Sequence, residues 1–321
     1  MQKLIRSGDD MANKQNNVTR QSMLGNILKC WELYLLLLPA ILYYILFQYA
    51  PMYGIVVAFK KLTIRGGILH SPWIGFEYFN QLFQDPAFWA ALRNTVIIGI
   101  YKLIFFFPVP IIIAIFLNEM ANEKFKRVVQ TVIYLPRFIS WTIMSGIIIN
   151  ILSVNGGVLN NVITGLFKTE PINFLMNAGT FRGLLVITTI LKDAGWGSII
   201  YIAALTSINP ELYEACVVDG GGRWKQIWNI TLPGLRPIIS IMLILSIGSI
   251  LSQDATQVLT LYSPNVFDKG DILGTYVYRV GIEYGRFSFA TAAGLFNSVI
   301  SLFLILIANK FSKTVGENGL F

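Results

Sequence analysis

Residues 213–233 read YEACVVDGGGRWKQIWNITLP, and they interrupt a chain that is otherwise mostly apolar. Two acids, three consecutive glycines, an Arg-Trp-Lys cluster and a closing Leu-Pro stand between long hydrophobic runs. A short polar loop would join two membrane spans equally well, so the segment calls for a role beyond connection. Just upstream, Asn209-Pro210-Glu211 has the form of a helix start: Asn as N-cap, Pro at the first helical position, an acid near the positive end of the dipole. Asp219 and the glycines Gly220, Gly221 and Gly222 break that helix. Arg223 to Ile230 forms a second short helix, which Pro233 stops. Trp224, Ile227 and Trp228 fall at three- and four-residue spacing and share a face. Such a face suits a protein interface, where Trp and Arg are enriched, and equally a helix lying on lipid headgroups.

The runs on either side set the fold class. The chain has 321 residues, of which 55% are hydrophobic and 13% charged. A soluble domain carries about 25% charged residues, so much of this surface does not face water. Six runs are long enough to cross a bilayer, which takes about 20 apolar residues: Leu33–Ala58, Thr95–Leu117, Val129–Leu152, Leu184–Leu205, Ile238–Tyr262 and Ala290–Asn309. Pro39 and Pro51 predict kinks in the first. The expectation is an all-α integral membrane protein with six transmembrane helices: a tail over 1–32, a permease domain over 33–309 that includes the loop 206–237, and a tail over 310–321.

Charge orients the spans. The net charge is +8, spread over short loops, which argues for membrane orientation and against nucleic acid. With the N-terminus inside, Lys3, Arg6, Lys14, Arg20, Lys29, Lys124, Lys126, Arg127, Arg223, Lys225, Arg236, Lys310 and Lys313 are cytosolic. Lys60, Lys61, Arg65, Arg93, Lys168, Arg182, Lys269, Arg279 and Arg286 are outside, over longer loops. The excess inside places both termini and the 206–237 loop in the cytosol. The polar N-terminus lacks the apolar core of a signal peptide. Cys30 and Cys216 give neither a disulfide framework nor a CxxC pattern, and the single histidine, His70, excludes a His-cluster metal site. Outside, Leu69–Trp89 (LHSPWIGFEYFNQLFQDPAFW) is rich in aromatics, which suits either the headgroup level of the membrane or contact with a docking protein.

Polar residues inside the spans are the candidates for a solute pathway, because each charge offsets several apolar residues and is retained where it faces protein or water. Asp254 falls near the middle of the fifth span, with Gln253 and Gln257 four apart on a shared face beside it; Asn297 falls near the middle of the sixth. Acids and amides suit the hydroxyls of sugars, and they equally serve as hydrogen bonds between helices. Lys192 and Asp193 lie towards the cytosolic half of the fourth span, placed to order the loop entrance or meet a partner chain. Lys102 and Arg137 can snorkel or meet an acidic sugar, although Asp254 argues against a uniformly positive pathway.

The loop resembles the EAA loop of ABC-importer permeases, roughly EAA, three residues, DGA, then a hydrophobic position, Ile and LP. Glu214, Ala215, Asp219, Gly220, Trp228, Ile230, Leu232 and Pro233 match; Cys216 and Gly221 depart, both still small. Collinear phrases such as APMYGIVVAFK, SPWIGFEYF, RNTVIIGIYKL, FKRVVQTVIYLP, KDAGWGSIIYIAAL and TYVYRVGI extend the likeness over nearly the whole chain. They resemble the maltose-importer superfamily, and within it the branch that imports complex oligosaccharides, including alginate and other polyuronate fragments. The resemblance implies a type I ABC-importer permease of the bacterial inner membrane. Its loop, with Arg223 and Trp224 beside the matched residues, forms a coupling helix docked on a separate ATPase. It also implies a heterodimer with a second related permease, two ATPase subunits binding ATP-Mg, an extracytoplasmic solute-binding protein and no cofactor in this chain. The dipeptide Gly-Lys, obligatory in a Walker A loop, occurs nowhere here, so the motor is another polypeptide. Two other readings stand beside it. A secondary transporter driven by an ion gradient would show symmetric repeats, and no matching halves are found. A membrane enzyme acting through Glu214 and Asp219 would lack a metal set or a nucleophile–base pair.

Overall fold

The computed structural model describes residues 31–63 and 65–314, so most of the N-terminal tail and residues 315–321 of the C-terminal one lie outside it. Among the described residues the chain is helical, with no β-strand. The elements used below are α1 (Trp31–Phe59), α2 (Glu77–Gln84), α3 (Pro86–Asn118), α4 (Glu123–Phe138), α5 (Trp141–Leu152), α6 (Val158–Phe167), α7 (Ala178–Leu205), α8 (Pro210–Val218), α9 (Arg223–Gly248), α10 (Ala255–Leu261), α11 (Leu273–Tyr278) and α12 (Phe287–Thr314). Five helical runs are long and apolar enough to cross a membrane: α1, α3, α7, α9 and α12. The bent pair α4–α5 makes a sixth if it counts as one span.

The chain divides after Val56. In the first unit, α1 runs from Trp31 with its apolar side chains exposed, as a lipid-facing helix requires. The second unit, from Val57 on, is built around three apolar clusters. Ile98, Trp141, Ile148, Phe181, Leu185 and Val258 join α3, α5, α7 and α10. Leu82, Phe88, Tyr276, Phe289 and Ala293 join α2, α3, α11 and α12. Ala114, Tyr201, Leu205 and Leu235 join α3, α7 and α9 near the 206–237 loop.

Pro51, expected to kink its helix, Pro233, expected to stop one, and Pro108 are carried through their helices, as is Pro39. A π-helical turn precedes each of the first three: Ile45–Tyr49 before Pro51, Lys102–Phe106 before Pro108, and Ile227–Thr231 before Pro233. Proline lacks an N–H, and its ring collides with the carbonyl four residues back. Those carbonyls belong to Phe47, Ile104 and Asn229, the middle residue of each π turn, where the wider winding makes room. Pro233 therefore does not end a short helix. Arg223 to Gly248 is one continuous helix of 26 residues, and the second arm of the loop is the start of the fifth span.

Two expected spans are broken. The third bends by 105° between α4 and α5: Pro136 ends one arm in a tight turn, and Ser140 N-caps the next by accepting from the Ile143 amide at 3.3 Å. Arg137 thus sits in the last, 3-10 turn of α4, at the bend, and not in the interior of a straight span. The fifth span stops at Gly248, and the chain resumes as α10 only at Ala255. Asp254 is the N-cap of α10, accepting from the Thr256 amide at 2.9 Å. It is not a mid-helix residue, and Gln253 and Gln257 do not share a helix face, because Gln253 precedes the helix that Gln257 belongs to.

At the end away from the 206–237 loop, polar groups tie the connections together. Asn94, fully buried, donates to the Asp268 carbonyl at 2.9 Å and accepts from Arg182 at 2.7 Å. Leu273 N donates to the Thr95 hydroxyl at 2.8 Å, and Tyr276 donates to the Asp85 carboxylate. Burial, reinforced by that bond, pushes the Tyr276 phenol well above its ordinary range, so it stays a donor. Within the aromatic stretch Leu69–Trp89, Trp73, Phe76 and Trp89 remain exposed, while ring contacts join many of the aromatics to one another and to neighbouring elements. Phe59 stacks on Trp73 at 5.7 Å and meets Phe76 and Phe79, while Phe88 is fully buried against Tyr276 and Phe296.

Gly195 shows how closely these helices approach. A Cβ placed there would strike the Ile133 carbonyl of α4, whereas a Cβ on Gly183 of the same helix meets nothing within 4 Å. Gly195→Val is expected to cost about 1–3 kcal/mol by overpacking and to lower the thermal midpoint of the detergent-solubilised protein. Gly183→Ala should leave that midpoint unchanged or slightly raised. Equal midpoints for Gly195→Val and the unaltered protein would contradict the contact.

Candidate functional site

The 206–237 segment is a closed hairpin of helices. Asn209 caps α8 by accepting from the Glu211 amide at 3.1 Å, with Pro210 at the first position, as its sequence predicts. The exit from α8 uses the glycines in three different ways. Gly220 has φ +73, left-handed backbone that other residues adopt at a cost. Around it, the Gly220 amide donates to Val217 O at 3.0 Å and the Gly221 amide to Cys216 O at 2.7 Å, the paired bonds of a Schellman cap. Gly221 has no room for a side chain: a Cβ there would strike Cys216 Sγ and lie 2.7 Å from its carbonyl oxygen. Gly222 is extended and starts α9.

The two residues that depart from the loop pattern are therefore in contact with each other. The sulfur that Cys216 adds lies where an alanine at 221 would put its methyl group. The turn closes with both the cysteine and the glycine in place, and the Cys216 carbonyl as well as its sulfur fills the space beside Gly221. The Tyr213 hydroxyl meets Thr231 Oγ1 at 3.1 Å, and Thr231 is fully buried, which ties α8 to the π turn of α9. Leu212, Ala215, Cys216, Asp219, Lys225 and Ile230 line a groove of about 350 Å³ between the two arms. Trp224 and Trp228 are 72% and 66% exposed and Val218 is 87% exposed, with Glu214 and Arg223 exposed beside them. Ile227 is more buried than the two tryptophans it was expected to join. Leu232 and Pro233 belong to the start of the long stretch of α9 that leads towards Gly248.

Lys192 and Asp193 form a clamp on the bend between α4 and α5. Lys192 lies near the middle of α7, not towards the loop half, and is 5% exposed. Its ammonium donates to the carbonyls of Pro136 at 3.3 Å, Arg137 at 3.2 Å and, more closely, Ile139. A helix that ends leaves carbonyls without partners, and a cation is the group that suits them. Asp193 pairs with Arg137 at 2.7 Å, with side chains 21% and 47% exposed. The Lys192 ammonium also lies 5.4 Å from the Trp141 ring. The dipeptide thus holds a bend some 55 residues away in sequence, a partnership with no local signal.

The break after α9 gathers the remaining polar residues. Gln253 Nε2 donates to the Ile250 carbonyl at 2.8 Å, and Ser249 Oγ to the Ser246 carbonyl at 2.9 Å. Gln257 is fully buried and fully used. Its amide nitrogen donates to Leu185 O at 2.8 Å and meets Thr188 and Thr189 at 2.9 and 3.1 Å. Its oxygen accepts from Lys102 Nζ at 2.9 Å. Ser249, Ser252 and Asp254 are exposed on the same segment. A cavity of about 150 Å³ opens here, lined by Gly99, Lys102, Thr189, Ser249, Gln253 and Asp254 among others. Asn297 stands apart on α12, partly buried, its Oδ1 without a hydrogen-bond partner among the described residues. Sequence reasoning placed Lys102 near a helix end. It is central to α3, and its partner Gln257 is 155 residues away, beyond any local pattern.

Comparison with known proteins fits this arrangement. The profile of the family described as "Binding-protein-dependent transport system inner membrane component" matches residues 107–316. The polygalacturonan/rhamnogalacturonan transport system permease protein YteP of Bacillus subtilis (strain 168) is 42% identical over 302 residues, covering 94% of each chain. Protein LplB of the same organism is 43% identical over 289 residues, covering 90% of this chain and 91% of its own. Among solved structures, a chain of a bacterial alginate ABC transporter in complex with an alginate pentasaccharide-bound periplasmic protein superimposes with a TM-score of 0.84 at 37% identity. That match covers 94% of this chain and all of the other. With the profile, the full-length relatives and the fold in agreement, the chain belongs to the family of binding-protein-dependent transport system inner membrane components.

Proposed function

We propose that this permease subunit carries acidic oligosaccharides across a bacterial inner membrane and is driven through residues 206–237 by a separate ATPase that binds ATP-Mg. The observation that carries the coupling role is the continuity of α9. The Schellman-capped turn presents Trp224 and Trp228 at one end of a single 26-residue helix whose other end is the polar break beside Lys102 and Gln257. At 1.5 Å per residue such a helix reaches about 39 Å. A displacement imposed at the loop is therefore delivered as a rigid-body movement to the break, the behaviour that alternating access needs.

Glu214, Ala215, Asp219, Gly220, Gly221, Arg223, Trp224, Trp228, Ile230, Leu232 and Pro233 make up the docking hairpin in this reading. Gln253 and Asp254 are the pathway side of the same chain, Gln257, Lys192 and Asp193 position its wall, and Asn297 lies apart from the cavity at the break, on α12. The subunit itself is not catalytic. Its partners are a second related permease in a heterodimer, two ATPase subunits and an extracytoplasmic binding protein. The excess of Lys and Arg on the loop side supports a topology with both termini in the cytosol. An epitope at either end should be reached by antibody only after permeabilisation, and staining of intact cells would reverse the topology. The acidic substrate class is supported by the names of the similar proteins, which concern polygalacturonan, rhamnogalacturonan and alginate.

Gly220→Val tests the coupling. No neighbour lies within 4 Å of a Cβ at Gly220, so the substitution acts through backbone conformation alone. The left-handed residue costs roughly 1–2 kcal/mol more with a side chain, a factor of about 5–30 in the population of the closed turn. Expected is a complex that assembles but loses most of the ATPase stimulation produced by loaded binding protein, with transport falling in parallel. Unchanged stimulation would overturn the assignment of the loop.

A further inference from the structure

The cavity at the break carries a cation whose placement calls for an anion. Lys102 is the seventeenth of the 33 residues of α3, so about 24 Å of helix lies on either side of it. It falls inside the apolar run Thr95–Leu117, where a charge is retained only beside protein partners or water. Among the described residues its ammonium makes one hydrogen bond, to the neutral amide oxygen of Gln257 at 2.9 Å. No carboxylate stands within ion-pair distance of it among the described residues. Asp193 is paired with Arg137; Asp254 lines the same cavity, gives one oxygen to the Thr256 amide as an N-cap, and keeps its charge near Lys102 without reaching ion-pair distance. An ammonium has three donors, and Gln257 uses one.

The walls around Lys102 are suited to one chemistry. Thr189, Ser246, Ser249 and Ser252 contribute hydroxyls, and Gln253 an amide. Gly99 presses on Ile250 so closely that a Cβ there would lie 2.9 Å from the Ile250 carbonyl oxygen, which brings the break directly against α3 just before the π turn that bears Lys102. Ser249, Ser252 and Asp254 are exposed at this depth, and non-helical backbone there is tolerated only where it lines a water-filled space or is covered by protein. The volume, about 150 Å³, is below that of a pocket for a whole ligand. It suits part of one sugar residue, with the rest of the chain lying along the open side.

We infer that Lys102 is the specificity-determining cation of the pathway, reading the carboxylate of one uronate residue while the break's serines and Asp254 take the neighbouring hydroxyls. This rests on the acidic-oligosaccharide reading above and adds the atom that distinguishes an acidic from a neutral sugar. Gln257, held by Leu185, Thr188 and Thr189, positions the ammonium and does not itself need to contact the solute.

The test is equilibrium binding to the complete transporter in nanodiscs, using trigalacturonate and its carboxyl-reduced trisaccharide as probes. The readout is the ratio of their affinities, which a uniform loss of folded complex does not alter. The unaltered protein should favour the acid, Lys102→Met should lower the ratio about tenfold or more, as loss of a charge-assisted bond implies, and Lys102→Arg should keep most of it. If Lys102→Met is not recovered from membranes, Lys102→Gln decides by the same ratio. Equal loss of both sugars, or an undiminished ratio in the neutral variant, overturns the assignment of Lys102. An unaltered protein that does not discriminate between the two sugars overturns the acidic-substrate reading itself.

Discussion

A peptide group in the hydrocarbon core of a membrane has no water to bond, so backbone that leaves the helix there must be supplied with partners or placed beside water. Residues 249–254 impose that demand, and much of the second unit is organised around it. Local bonds take part of the load: the Ser249 amide reaches Leu245 O at 3.0 Å, Ser252 N reaches Ser249 O at 3.0 Å, and the Gln253 side chain reaches Ile250 O. Asp254 restarts the helix. Beyond it, Gln257 is sunk between α7 and α3 with each of its polar atoms bonded. Ser249, Ser252 and Asp254 remain exposed on the open side of the break.

The same demand recurs at the bend between α4 and α5, and there it is met by a charge. The carbonyls released around Pro136 receive the Lys192 ammonium, and Arg137 is matched by Asp193. Elsewhere the prolines are absorbed without a break. The π turns before Pro51, Pro108 and Pro233 widen the helix where the ring would strike it, and in α9 this keeps the loop and the span in one rigid piece. The chain thus has bends where polar partners exist to satisfy them, and one continuous helix from the 206–237 loop to the break.

Much of this was legible in the residues. Apolar run length predicted helical spans, and Asn209-Pro210, Asp219 and the glycines predicted the two-armed loop, because capping and left-handed turns depend on local chemistry. The broken spans were harder to read, since hydropathy averages over Ser, Gln and Gly without registering that a helix has stopped. A signal was present: Asp254 heads Ala255-Thr256-Gln257 as an N-cap would, and Ser140 does the same for α5. The fate of Pro233 could not be read, because a proline can end a helix or be accommodated within it, and the local sequence does not specify the π turn that accommodates this one. Nor could the pairings Lys102–Gln257 and Lys192–Ile139, or the contact between Cys216 and Gly221, be found before the chain was folded.

The central claim is that the break at 249–254 faces water at mid-membrane depth while the helix leading to it faces lipid. Single cysteines at Ser249, Ser252 and Leu245, in a chain whose Cys30 and Cys216 are replaced by Ser and Ala, can be reacted with a membrane-impermeant cationic thiol reagent in the assembled transporter. Leu245 is 45% exposed and is the internal reference for a lipid-facing site. Cysteines at 249 and 252 should react readily and be protected by trigalacturonate, while cysteine at 245 stays inert. Equal inertness at all three positions, in a complex that still transports, would contradict a water-lined break and the pathway built on it.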